Sequence, residues 1–238
     1  MYTYSIPINN DHFERSGRDR VVAALKQAGI TRAFLATGAL TTDETENKRV
    51  ISLLRENLAY LKKERFETGV WYWAFMCDDG GRFTKITGIN GHPSANECCP
   101  SDPEFRRFAA DFTRRVAELG PDIILLDDDL RYGPLDSGLS CFCEHHMADI
   151  CARVGETLTR DELKEKIFTG GKNKYRDAYM DSLGDAMRRY AAALREAIDT
   201  VNPRIRLGQC SCITCWDQEG VTSPEMSKIF AGSTRPFL

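Results

Sequence analysis

Apolar and polar positions alternate along this chain between two spacings. Short apolar runs at Tyr2–Ile8, Arg32–Thr37, Val70–Phe75, Asp122–Asp129 and Ile205–Gly208 have the length and composition of strands. The run Ile123-Ile124-Leu125-Leu126 after Gly120-Pro121 is continuous, as a parallel strand buried on both faces requires. Between these runs the spacing is helical. Arg18 to Ala28 carries Val21, Val22, Ala24 and Leu25 on one face and stops at Gly29. Thr42 or Asp43 caps a long helix to Glu64, with Val50, Leu53, Leu54, Leu58, Tyr60 and Leu61 as its stripe. Ser101-Asp-Pro-Glu104 opens another, with Pro103 in a tolerated first-turn position and Phe105, Phe108, Phe112 and Val116 facing inward. A short helix near His145–Val154, a charged segment and a long helix from about Tyr175 to Val201 follow, and Thr234–Leu238 begins a sixth strand.

Strands alternating with helices predict a parallel sheet with right-handed crossovers. A complete eightfold barrel usually needs about 250 residues or more, and here long helices and loops use up the chain after five to six units. The expected fold is therefore α/β, a (β/α)8 TIM-barrel type with only the N-terminal five to six units, as a single partial domain over residues 1–238. The stretches 77–100 and 130–144 are expected as long loops on its active-site face. An open doubly wound sheet is the alternative, but no glycine-rich phosphate loop follows the first strand.

A net charge of −3 gives no polyanion-binding signature, so nucleic acid is not an expected partner. The N-terminus lacks a basic region followed by an apolar core, and no apolar run approaches the roughly 20 residues of a membrane span. Nine cysteines without a secretion signal favour thiols or metal ligands over disulfides, and a cytoplasmic location is expected.

The candidate chemistry lies at the fourth strand. Asp127, Asp128 and Asp129 close its apolar run, at the strand end where barrels place their active sites. Glycoside hydrolysis needs two carboxyl groups, and crowding raises the pKa of one. Alternatively the cluster binds magnesium or calcium, or simply caps the loop and pairs with Arg131. Just downstream, Cys141-Phe-Cys143-Glu-His-His146 has zinc-ligand spacing. With Cys99 (or Cys98) from the long loop, and with His145 as rival to His146, it offers a closed structural zinc site. Ordinary reduced thiols are the plainer reading. A further cluster, Cys210, Cys212 and Cys215, precedes Trp216 and Asp217. Trp71, Trp73 and Phe75 share one face of the aromatic strand by alternation, as core packing or, with Trp73 or Phe75, as a pocket wall. His92 is read as a solvated loop residue. Substrate contacts are expected from Trp73, Arg131 and Trp216.

With these residues in place, the region from about 68 to 200 resembles the glycoside hydrolase family 42 β-galactosidases. Asp127-Asp128-Asp129-Leu-Arg-Tyr132-Gly133 is similar to that family's Asp-Asn-Glu at the end of strand four, followed by an aromatic residue and glycine. Cys141, Cys143 and His146 match its Cys-x-Cys-x-x-Cys zinc loop, with histidine in the last place, and Cys98 or Cys99 matches the earlier cysteine. The resemblance implies a carbohydrate substrate, structural zinc and Asp129 as general acid/base, with Asp127 as its electrostatic partner. Asp128 and Asp129 replace the family's asparagine and glutamate, and its nucleophile, on strand seven, is expected beyond Leu238. The rival expectation is a degenerate barrel that binds carbohydrate or protein without catalysis. An open sheet edge further predicts self-association.

Overall fold

Five strands run parallel and neighbour one another in the order in which they occur in the chain. The computed structural model describes residues 3–132, 138–210 and 220–237. The parallel strands are β1 (Ser5–Asn9), β2 (Arg32–Thr41), β3 (Glu67–Asp78), β6 (Ile123–Leu126) and β7 (Arg206–Gln209). Phe237 forms a parallel bridge to Gly208, where the sixth strand was expected to begin. A doubly wound sheet turns back on its first strand; this sheet does not. Successive β/α units are thus present, but among the described residues no ladder joins β1 to β7, so the expected eightfold closure is not seen.

Helices α1 (His12–Ser16), α2 (Arg18–Gln27), α3 (Glu44–Lys63), α4 (Pro103–Ala117), α5 (Glu144–Val154), α6 (Arg160–Phe168), α7 (Lys174–Asp199) and α8 (Ser223–Ala231) complete the chain. Asp43 caps α3 through Thr45 and Glu46, and Asp102 caps α4 ahead of Pro103. The charged segment is helix α6, because Thr159 and Glu162 form a reciprocal capping box that compensates for its weak apolar stripe. Helix α8 escaped the sequence reading; its start is set by Thr222, and it buries Met226 and Phe230.

The stretch 77–100 is not the irregular loop expected. It holds the short antiparallel strands β4 (Lys85–Thr87) and β5 (Pro93–Cys98), and β5 joins the far end of β3 at Met76–Glu97. Neither strand is long or apolar enough to register as a strand pattern, and Pro93 occupies the first position of β5, where proline costs no ladder bond.

The two sheet faces differ. Leu35, Val70, Tyr72, Ile124, Leu126 and Leu207 belong to the large helix-covered core, whereas Phe34, Ile123 and Leu125 form a separate small cluster with Trp71 and Phe237. Alternation along β6 assigns Ile123 and Leu125 to this inner face, and Asp127 is the next position in the series. At the N-terminal strand ends Glu67 pairs with both Arg32 and Arg206, whose guanidinium groups lie 5.3 and 5.5 Å from the Phe237 ring. Phe34 crosses β3 at Gly69, where an added Cβ would stand 2.2 Å from Cδ1 of Phe34. Gly69→Ala is expected to cost about 1–3 kcal/mol by overpacking, read as a lower urea midpoint; an unchanged midpoint would show that Phe34 moves freely. Among the described residues no helix is long and apolar enough to cross a membrane.

Candidate functional site

Asn9, Thr37, Gly38, Trp71, Trp73 and Asp127 line a cleft of ≈ 290 Å³ above the inner face. Asn9 ends β1 and Asp127 follows β6, so the cleft lies toward the C-terminal ends of the parallel strands. Register shifts between Ala36, Gly38 and Leu40 bend β2 at this point, and Gly38 takes the positive φ of 79°. Trp73 is 36% exposed at the rim. A groove between α4 and α7, lined by Arg106, Arg107 and Glu196, is larger but lies on the outer helices, remote from the strand ends.

The three aspartates separate. Asp127 is half-buried in the cleft, with Oδ1 accepting the Asp128 N–H at 2.9 Å. Asp128 is exposed and pairs with Arg131 at 3.8 Å. Neither Arg131 nor Asp128 is among the cleft-lining residues.

Asp129, expected beside Asp127, is 8% exposed and is bound by peptide groups of β3. Its Oδ1 accepts from Ala74 at 2.7 Å, and Oδ2 accepts from Phe75 at 2.7 Å and Met76 at 3.0 Å. The cause is topological. The β3–β6 ladder ends at Tyr72–Leu126, leaving the next N–H groups of β3 without a strand on that side. Asp129 supplies the missing acceptors. The two-residue alternation that would align it with Asp127 stops where β6 stops. A register shift against β2, from Gly38–Tyr72 to Leu40–Cys77, breaks the alternation of β3, and Phe75 lies in the buried core, not on the face of Trp71.

Burial pushes the Asp129 carboxyl up to about 6, against the three N–H groups, and the charge of Asp127 adds to the rise. Burial lowers His146 to about 4. Each shift is worth roughly 3 kcal/mol, with opposite signs. The Asp129 contribution is full below its unfolded pKa near 3.8 and is lost as pH rises through about 6. The His146 contribution is full above about 6.5 and is lost as pH falls through about 4. The two therefore offset one another in wild type between pH 4 and 6.5. Urea titrations across that window should give Asp129→Asn a stability that rises with pH and His146→Gln one that falls. Parallel slopes in the two variants would refute the assignment.

Cys99, Cys141 and Cys143 come together. Their sulfurs lie within 4.8 Å of one another, with Cys99 3.8 Å from Cys141 and 3.6 Å from Cys143. Tetrahedral zinc–thiolate bonds of ≈ 2.3 Å set ligand sulfurs about 3.8 Å apart. The Thr87 N–H donates to Cys141 Sγ at 3.4 Å, and Phe142 N–H to the Thr87 carbonyl at 2.7 Å, fastening the segment before α5 to β4. The Cys143 thiol is drawn down by its two neighbours, whereas burial pushes Cys99 and Cys141 up. Such a set favours deprotonation at one sulfur and suits a soft cation.

His146 does not join these sulfurs. Its Nδ1 lies 3.0 Å from Ser182 Oγ and its Nε2 3.2 Å from Tyr132 Oη, so both ring nitrogens are engaged. Entry into α5 turns its side chain toward α7. His145 Nε2 instead lies 3.3 Å from Thr84 Oγ1. Cys98 points elsewhere, with Lys85 Nζ at 3.3 Å and Asp79 Oδ2 at 3.8 Å. Cys210 stands beside Phe34 and Trp71 on the inner face, while Cys212, Cys215, Trp216 and Asp217 lie outside the described residues. His92 is exposed. Sequence reasoning missed Asn9 and Thr37 as cleft residues. Their only signal was position near the C-terminal ends of the first two strands.

No protein-family model matches the chain, and no curated protein matches it in sequence. Solved structures do. The β-galactosidase of Marinomonas ef1 superposes with a TM-score of 0.69 at 8% identity over 97% of this chain and 40% of its own. That of Rahnella sp. R3 gives 0.68 at 11% identity over 96% and 38%, and that of Bacillus circulans sp. alkalophilus 0.58 at 13% over 87% and 36%. The chain thus has a fold found in part of solved β-galactosidases, and it spans about 40% of the length of the first of them. Identity this low speaks for the fold alone.

Proposed function

We propose that this chain forms the carbohydrate-binding, acid-bearing part of a glycoside hydrolase acting on a β-glycoside such as a β-galactoside. The observation that carries the reading is the position of Asp127: inner face, C-terminal strand end, in one cleft with Trp71 and Trp73. That is where barrel enzymes gather their chemistry, and an aromatic rim with one carboxylate suits a pyranoside. Asp127 replaces Asp129 as the proposed acid/base, because a general acid must reach the glycosidic oxygen and Asp129 is committed to β3. Hydrolysis requires a second carboxyl, expected from outside the described residues. Calorimetric titration with D-galactose and lactose, and hydrolysis of a p-nitrophenyl β-galactoside, test the reading. Asp127→Asn should keep binding and lower any turnover at least 10²-fold; a wild-type chain that binds no sugar would end it.

Structural zinc on Cys99, Cys141 and Cys143 belongs to the same proposal, supported by the sulfur spacing. It would hold the β4–β5 excursion and the segment before α5 together, and would supply no chemistry at the cleft. Self-association is proposed through β1, which forms a sheet edge among the described residues and leaves Ile6 36% exposed. Light scattering should give a mass that rises with concentration, and Ile6→Lys should suppress the rise; a constant monomer mass excludes it.

A further inference from the structure

The arginines of α4 and α7 divide into two sets. Arg114 and Arg115 on α4, and Arg188 and Arg195 on α7, each have a carboxylate within ion-pair distance. Among the described residues Arg106, Arg107 and Arg189 have none. The Arg106 side chain donates instead from Nη1 to the Pro100 carbonyl at 3.3 Å. Arg106 and Arg107 line the groove of ≈ 370 Å³ between the two helices, and Arg189 acts on Arg106 from α7. Burial holds the Arg106 guanidinium below the usual arginine range. The charge of Arg189 presses it further down, against Asp102, and Arg107 adds to the fall. Three positive groups thus gather without a carboxylate of their own, which is repulsive unless a negative group joins them.

The acids nearby are committed or displaced. Asp111, in the same groove, is held by Arg114 at 2.7 Å. Asp149, which Arg189 also influences, is held by Arg153 at 2.9 Å. Glu196 lines the groove two turns of α7, or about 10 Å, beyond Arg189.

The chemistry of the groove restricts its ligand. A guanidinium is planar, always charged and weakly hydrated, and its paired N–H groups match the oxygens of phosphate or carboxylate. Several of them acting together favour a dianion over a monocarboxylate. Beside the arginines stand Ala110, Ala193 and Ala197, which bring no polar side-chain atom. They leave an apolar surface for the carbon part of an ester.

We infer that the α4–α7 groove binds a small phosphomonoester, with its phosphoryl group at Arg106 and Arg107, Arg189 beside them, and its carbon part on the three alanines. This site is separate from the cleft at Asp127 and stands independently of the carbohydrate reading.

Calorimetric titration with glucose 6-phosphate, inorganic phosphate and acetate at matched ionic strength tests it on wild type, Arg106→Gln and Arg189→Gln. Arg189 is exposed, so its replacement leaves the fold in place. Wild type should bind glucose 6-phosphate and ignore acetate, and each variant should bind the ester roughly tenfold more weakly. Inorganic phosphate that binds as tightly as the ester would keep the arginine site and overturn the part given to the alanines. Melting curves supply a second reading. A rise in melting temperature with phosphate that is smaller in both variants supports the site. An equal rise in all three proteins is the general salting effect of phosphate and overturns it. Ester binding that survives both substitutions, or a wild type that binds neither phosphate, overturns it as well.

Discussion

Asp129→Ala is expected to lower the unfolding free energy by about 3–5 kcal/mol, whereas Asp127→Ala should change it by no more than about 0.5 kcal/mol. The contrast follows from what each carboxylate touches. Deleting the Asp129 side chain strips the acceptors from three successive peptide N–H groups of β3, at Ala74, Phe75 and Met76. Those groups sit in the core, beside the Ala74 carbonyl that accepts from the Tyr190 hydroxyl at 2.7 Å. Asp127 accepts one bond from the adjacent Asp128 N–H and otherwise faces the cleft. Urea unfolding reads the first effect. Glycoside turnover or sugar binding reads the second, where Asp127 is expected to matter and Asp129 to act only through the fold. Equal stability losses in the two variants would sink the division of roles, and so would a stable Asp129→Ala that had lost turnover.

Purified without chelator, the protein is expected to carry one zinc per chain, absent from Cys141→Ser. Removing the ion from wild type should lower the melting temperature by roughly 8–16 °C. That range corresponds to the ≈ 4 kcal/mol that a ligand present at a thousandfold its Kd supplies, spread over a domain of this size. The three sulfurs join segments far apart in sequence, Cys99 after β5 and Cys141 and Cys143 before α5. Without an ion, three buried thiols remain with no cation to hold the two segments together. Elemental mass spectrometry with a parallel melting curve decides the matter. A metal-free protein whose melting temperature does not respond to chelator would rule out the structural ion. His146→Gln should retain the zinc, since the His146 ring bonds to Ser182 and Tyr132 instead.

The parallel strands and most of the helices were legible from local pattern. The continuous apolar run of β6, the stripe of α3 and the Asp102–Pro103 start of α4 each depend on neighbours within a few residues, and each appears where the spacing put it. Elements stabilised by distant contacts were not legible. Strands β4 and β5 pair with each other, β5 reaches the end of β3 through Met76–Glu97, and Gly88, just past β4, bridges Ser140. Helix α8 packs against α7 and β7, where Gly220 lies so close to α7 that a Cβ there would meet the Met180 carbonyl at 1.9 Å.

The candidate site divides along the same line. The sequence by itself determined that acids gather after the fourth strand, that cysteines Cys141 and Cys143 can share a ligand, and that Trp73 falls near a strand end. Those are matters of spacing along one segment, which backbone geometry fixes to within a residue or two. Only the tertiary structure decided which aspartate faces the cleft, that Cys99 and not Cys98 meets the other thiols, that His146 turns away, and that Asn9 and Thr37 line the same cleft as Asp127. Each of those outcomes depends on where one strand outruns its neighbour, and a ladder's end is set by the partner strand, which no local pattern contains.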